Sequence, residues 1–178
     1  MTVQQSVPVW VMLASLLPGV AIFFLTEEQH RRLTALNLGG AVAKLALTGW
    51  MAWGLLEGQT FEARFAFVPG ADLSLRADWL SVLFITLSAG LWLLTTVYAI
   101  GYLEGTQHQR RFFGFFSLSV TSTMGIAMAG NLFTFVLFYE MLTVSTYPLI
   151  VHWGTQRQLR AGDRYLQYTF LGGTLLLT

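Results

Sequence analysis

Two ionisable residues stand well inside apolar stretches of this 178-residue chain, Glu140 and Lys44, and both are types that take up and release protons. A charge at the centre of a membrane helix costs about 2.5–3.5 kcal/mol on the insertion scale, so each needs a partner or a task. Glu140 lies in Leu132-Phe133-Thr134-Phe135-Val136-Leu137-Phe138-Tyr139-Glu140-Met141-Leu142-Thr143, with no compensating charge on its own segment. Helical spacing sets Thr143 at i+3 and Tyr147 at i+7 on the same side, where hydroxyls can extend a hydrogen-bonded path from the carboxylate. Burial favours the neutral form of a carboxylate and a nearby cation favours the charged form. A movable partner charge would therefore make Glu140 a proton switch; a fixed one would make it a structural carboxylate in a salt bridge.

Lys44 is the only lysine in the chain and sits in Gly40-Ala41-Val42-Ala43-Lys44-Leu45-Ala46-Leu47. Its small neighbours let another helix approach, which directs it to the protein interior, either as a paired or snorkelling lysine or as a group in a proton path. Pro148, two turns beyond Glu140, removes one backbone bond and frees the carbonyl of Val144, so a helix kink is expected there. Gly114, Ser117, Thr121 and Gly125 share one face of small and hydroxyl residues suited to close helix contact. His30, His108 and His152 fall in loops or at segment ends, as interfacial residues. The chain shows no metal-ligand spacing and no phosphate-binding loop, so neither a metal nor a cofactor is expected. Without cysteine it has no disulfide and no thiol chemistry.

The elements that position these residues are membrane spans. Apolar residues make up 54% of the chain and charged residues 11%, against roughly 25% charged in soluble domains. Its net charge is +1 with basic residues in small groups, which leaves no footprint for nucleic acid. Crossing about 30 Å of hydrocarbon takes roughly 20 residues. Five runs qualify, at Val7–Leu25, Leu36–Leu56, Leu80–Leu103, Phe112–Ala129 and Leu132–Val151, and a sixth begins near Tyr165 and reaches Thr178. The expected fold is an all-α membrane protein of about six transmembrane helices. The short sixth run predicts that residues 1–178 are a single transmembrane domain, the N-terminal part of a longer subunit. The N-terminus lacks the positive region of a secretory signal, so the first run is expected to stay as a span.

Seven arginines (Arg31, Arg32, Arg110, Arg111, Arg157, Arg160 and Arg164) fall in alternate loops, against Arg64 and Arg76 on the other side. Cytoplasmic loops are enriched in Lys and Arg, which sets the N-terminus outside. The outer loop from Glu57 to Asp78 alternates at Phe61, Ala63, Phe65 and Phe67, turns at Pro69-Gly70 and resumes at Leu73 and Leu75, the pattern of a short β-hairpin capping the helices. Asp78 stands just before the third run as an N-cap.

The run from Asn131 through Glu140 to Leu149 resembles the fifth helix of the antiporter-like subunits shared by Mrp-type cation/proton antiporters and respiratory complex I. Asp78-Trp79-Leu80-Ser81, Tyr98-Ala99-Ile100-Gly101-Tyr102-Leu103 and Arg164-Tyr165-Leu166 resemble that family's pattern in the same order. The likeness is strongest to the Mrp D subunit and its complex I counterpart and spans most of residues 70–178; the first two runs match only in hydropathy. The resemblance implies about fourteen helices in two inverted repeats and a proton-transferring glutamate at Glu140 that pairs with a lysine of the seventh helix. It assigns no role to Lys44.

The function expected is a proton-conducting subunit, or its N-terminal part, in a multi-pass inner (cytoplasmic) membrane complex that exchanges protons for monovalent cations or couples them to electron transfer. Its partners would be other membrane subunits, including the missing C-terminal half or an equivalent chain. In an NADH dehydrogenase-like or hydrogenase-like complex it would be a non-redox subunit. The alternatives are a non-conducting scaffold that docks neighbouring subunits, and a transporter of a small organic substrate, which a single Glu and a single Lys disfavour.

Overall fold

The computed structural model describes residues 3–26, 29–68, 71–103 and 108–177. Among them are six helices and one hairpin: α1 (Val3–Phe23), α2 (His30–Leu56), β1 (Phe61–Val68), β2 (Ala71–Ala77), α3 (Trp79–Tyr102), α4 (Gln109–Ala127), α5 (Leu132–Ile150) and α6 (Gln156–Leu177). The expected turn at Pro69-Gly70 lies outside the described residues.

Among the described residues three helices are long and apolar enough to cross a membrane, over Ser6–Phe23, Trp79–Tyr102 and Leu132–Ile150. Length and composition alone thus account for three of the about six expected spans. α2 and α4 fall short because they carry polar residues, and these point inward: Asn37, Lys44, Thr48, Ser117, Thr121 and Ser122 are all buried. The hydroxyls of α4 are also satisfied within the helix, Ser119, Thr121, Ser122 and Thr123 each donating to the carbonyl four residues back. α6 falls short because Arg157, Arg160, Asp163 and Arg164 occupy its first turns.

α2 and α6 also begin earlier than their apolar runs, at His30 instead of Leu36 and at Gln156 instead of Tyr165. Hydropathy locates the part of a helix that fits hydrocarbon, while the helix itself continues through Arg, Gln, Leu and Ala, all good helix formers. The start of α6 carries its own signal in Thr155-Gln156-Arg157-Gln158. The backbone N–H of Gln158 donates to the Thr155 hydroxyl (3.3 Å) and the N–H of Thr155 to the Gln158 side chain (3.4 Å), a reciprocal cap. The start of α3 is as expected: the N–H of Ser81 donates to Asp78 Oδ1 at 2.7 Å and its hydroxyl at 2.8 Å. These bonds hold the Asp78 carboxyl below the usual carboxylate range.

β1 and β2 pair antiparallel, Phe61 opposite Ala77, Ala63 opposite Leu75 and Phe65 opposite Leu73. The alternation turns Phe61, Ala63, Leu75 and Ala77 inward, where all four are buried. The hairpin closes one end of the bundle. The link between α4 and α5 runs beside β2: Arg76 N–H donates to Met128 O (2.7 Å) and Gly130 N–H to Ser74 O (2.8 Å). Asn131 caps α5 through Thr134 N–H and reaches the Asp72 carbonyl.

The helices alternate in direction, so the starts of α2, α4 and α6, with their arginines, gather at the end away from the hairpin. There His30 meets Gln109 (3.0 Å) and Arg110 donates to the Leu25 carbonyl (3.0 Å). Two separate apolar clusters fill the interior, one around Val7, Val11, Met51, Ile85 and Met124 toward the hairpin. The other, Ile22, Leu33, Ala99, Leu103 and Phe113, lies toward the arginines.

Candidate functional site

α5 has two faces, each set by what it meets. Thr134, Phe138 and Ser145 recur at helical spacing and are buried against α4 and the hairpin. The Ser119 and Ser145 hydroxyls lie 3.1 Å apart, the N–H of Ser74 donates to the Thr134 hydroxyl (2.9 Å), and the Phe138 ring fills the space a side chain at Gly125 would take. Glu140 and Tyr147 lie on the other side, against α6. A Cβ built at Gly173 would overlap Glu140 Oε1, and one at Gly162 would come within 2.8 Å of the Tyr147 ring. α6 runs antiparallel to α5 and presents backbone, not side chain, to the carboxylate and to the tyrosine.

Glu140 Oε2 is buried and accepts no hydrogen bond among the described residues. Thr143, expected to continue a path from Glu140, is 1% exposed and donates instead to the Tyr139 carbonyl at 3.1 Å. Tyr147 shares the Glu140 side of α5, one helical repeat away. Pro148 stands two residues before the end of α5, which runs on to Ile150.

Lys44 belongs to a different neighbourhood. It is fully buried, its ammonium donates to Ser15 of α1 at 2.9 Å, and its Nζ lies 5.0 Å from the centre of the Trp92 ring of α3. Thr121 of α4 meets the same Ser15 hydroxyl at 2.9 Å. The close approach the sequence implies is there: a Cβ at Gly40 would stand 2.7 Å from the Pro18 ring and 2.8 Å from the Ala14 carbonyl. Lys44 and Glu140 therefore face different helices, and the two sequence candidates do not form one site.

Sequence reasoning passed over Gly162 and Gly173. The signal was present in the Gly172-Gly173 doublet within Leu171–Leu177, because each glycine costs a helix about 1 kcal/mol relative to alanine and persists where backbone must come close to another group. At the arginine-rich end His152 is buried edge-on to Phe112 (5.7 Å), and neither ring nitrogen has a partner among the described residues. Burial, then the charges of Arg111 and His108, push its imidazole below the ordinary histidine value. Among the described residues no three His, Asp or Glu side chains gather into a group that could hold a metal.

A helical bundle with apolar helices, charge gathered at one end and ionisable groups within its helices defines a membrane subunit. The family described as complex I NADH-ubiquinone oxidoreductase chain 5 N-terminus matches residues 70–113. The family described as the transmembrane region of NADH:quinone oxidoreductase and Mrp antiporters matches residues 129–178. Chain 4 of the NAD(P)H-quinone oxidoreductase of Picosynechococcus sp. is 28% identical over 169 residues, covering 91% of this chain and 31% of that one. Subunit A1 of the Na(+)/H(+) antiporter of Staphylococcus haemolyticus is 30% identical over 109 residues, 61% of this chain and 14% of that one. Among solved structures, the archaeal membrane-bound sulfane sulfur reductase, a respiratory membrane complex, shares the fold with a TM-score of 0.65 at 20% identity, over 80% of this chain and 22% of that one. The chain belongs to the antiporter-like membrane subunit family shared by Mrp antiporters and complex I. It spans less than a third of the length of these relatives.

Proposed function

We propose that the chain is part of a proton-conducting membrane subunit and that Glu140 takes up and releases the proton. The observation that carries this reading is the buried Glu140 Oε2 with no hydrogen-bond partner among the described residues. A carboxylate kept as a structural anchor has its lone pairs matched, because an unmatched buried charge costs several kcal/mol. An unmatched one against bare helix backbone is arranged to meet a proton or a cation that arrives. Tyr147, on the same side, is the next proton-bearing group along the α5–α6 contact. Thr143 joins the path only by giving up its bond to the Tyr139 carbonyl.

In this reading all six helices span the cytoplasmic membrane with the N-terminus outside, the arginines in the cytoplasm and the hairpin as an outer cap. α2 and α4 cross because their polar groups are turned inward. The counter-charge for Glu140 comes from further helices of the same subunit or of a neighbouring one in a multisubunit complex, and the proton is exchanged for a monovalent cation or coupled to electron transfer.

The test uses the assembled complex. Glu140→Gln keeps size and hydrogen bonding but removes the ionisable group, so proton flux in inverted vesicles, normalised to complex on a native gel, should collapse while assembly survives. Glu140→Asp should keep part of the flux. Normal flux per complex in the Gln variant would sink the proposal, and lost assembly with normal flux in what remains would favour the scaffold.

A further inference from the structure

The interior of α1–α4 holds a layer of polar side chains between the two apolar clusters. On the arginine side of the layer, Asn37 of α2 donates to Thr96 of α3 (3.2 Å) and accepts from Ser117 of α4 (3.0 Å). Two turns farther along α2, Lys44 donates to Ser15 and stacks on Trp92, and Thr121 of α4 reaches the same Ser15 hydroxyl. All six polar residues are fully buried. Ile22, Leu33, Ala99 and Phe113 close the layer on one side, and Val11, Met51, Ile85 and Met124 on the other. Lys44 is thus an occluded ionisable group held by two neighbouring helices, α1 through Ser15 and α3 through Trp92.

The hydrogen bonding of Lys44 is incomplete in its charged form. An ammonium has three N–H donors. Among the described residues it meets one hydroxyl acceptor, Ser15, and one aromatic face, Trp92, which stabilises a desolvated cation. Ser15 spends its own proton on the Met12 carbonyl (3.1 Å). The neutral amine has two N–H donors, which the same two groups match, and a lone pair to spare. Among the described residues no acid faces it: α1 carries no charged residue, α3 offers only Tyr98 and Tyr102, both exposed, and the nearest charges of α4, Arg110 and Arg111, stand in its first turn beyond the Phe113 layer.

We propose that Lys44 is a second proton-binding site, separate from Glu140, which alternates between ammonium and amine inside this occluded layer. The reaction is the addition of one proton to the amine lone pair and its later release, with Ser15, itself in contact with Thr121, orienting the nitrogen and Trp92 stabilising the cation. The proposal rests on the reading of the chain as part of a proton conductor and deepens it, giving α2 a task that the α5–α6 contact does not perform.

The experiment compares four variants of the assembled complex for proton flux against pH in inverted vesicles, each normalised to complex on a native gel. Lys44→Met removes the amine, and Lys44→Arg keeps a cation that does not release its proton. Both should assemble and lose flux by about tenfold or more. Ser15→Ala leaves Lys44 in place but removes its hydroxyl acceptor; it should assemble normally and displace the pH profile of flux. Glu140→Gln in the same series reports on the first site alone. Undiminished flux in Lys44→Met, or undiminished flux in Lys44→Arg, overturns the Lys44 site whatever Glu140→Gln does. If the Lys44 variants fail to assemble, a Ser15→Ala profile superimposable on the wild type overturns it. Normal flux in Glu140→Gln with loss in the Lys44 variants would remove Glu140 from the pathway and leave Lys44 in it.

Discussion

Gly173 leaves the room that the Glu140 carboxylate occupies: a single methyl group added there would overlap Glu140 Oε1. Its neighbour Gly172 is different, since a Cβ at that position meets only the Tyr139 hydroxyl, at 3.8 Å. Of two adjacent glycines, only Gly173 bears on the carboxylate.

The pair gives a controlled test of the Glu140 reading. Gly173→Ala should assemble, because a carboxylate is the movable end of a side chain and alanine favours the helix by about 1 kcal/mol. It should nevertheless lower proton flux per complex by about tenfold or more, as displacement of a reacting group by about 1 Å does in enzymes. Gly172→Ala should leave flux unchanged. Equal flux in the two variants would separate the carboxylate's position from transport.

Asp78 makes a stability prediction. Asp78→Ala removes the acceptor of the Ser81 N–H and should weaken α3 by about 0.5–2 kcal/mol, whereas Asp78→Asn, which caps as well, should stay near the wild type. The native bonds depress the Asp78 carboxyl, so its contribution is present above the unfolded value of about 3.9 and is lost as pH falls through the lower folded value. Thermal unfolding of the purified protein at neutral and acid pH measures both effects.

His152 predicts acid sensitivity at the other end. Its folded value lies below the unfolded value of about 6.5, so the neutral ring contributes stability above that pH and loses it as pH falls through the folded value. Protonation would place a cation beside Arg111 against the Phe112 ring. His152→Phe should flatten the decline in melting temperature between pH 7 and pH 5; an unchanged slope would assign the decline to other groups.

Topology is open to labelling. In intact cells a cysteine at Gln59, beside the hairpin, should react with an impermeant thiol reagent from outside, and a cysteine at Thr155, at the start of α6, should be protected. The opposite result would invert the orientation.

Residue order alone determined the parts of this fold that depend on local chemistry. Long apolar runs placed the centres of α1 to α5, alternation at Phe61, Ala63 and Phe65 placed the hairpin and its inward face, and Asp78 before Leu80 marked the start of α3. Each follows from short-range rules of burial, periodicity and capping, which act within a few residues. Where α2 and α6 begin was missed, since a helix persists through polar residues that no lipid requires. Which groups face one another was decided only by tertiary structure. Helical spacing put Thr143 and Tyr147 near Glu140, yet the Thr143 hydroxyl turns to its own backbone and the Glu140 carboxylate lies against Gly173, 33 positions away in the chain. Lys44 and Glu140 were both legible as ionisable residues within helices. That they belong to separate neighbourhoods, one closed by Ser15, Thr121 and Trp92 and the other open along α6, follows from which helices pack together, and the period of a single helix carries no information about its neighbours.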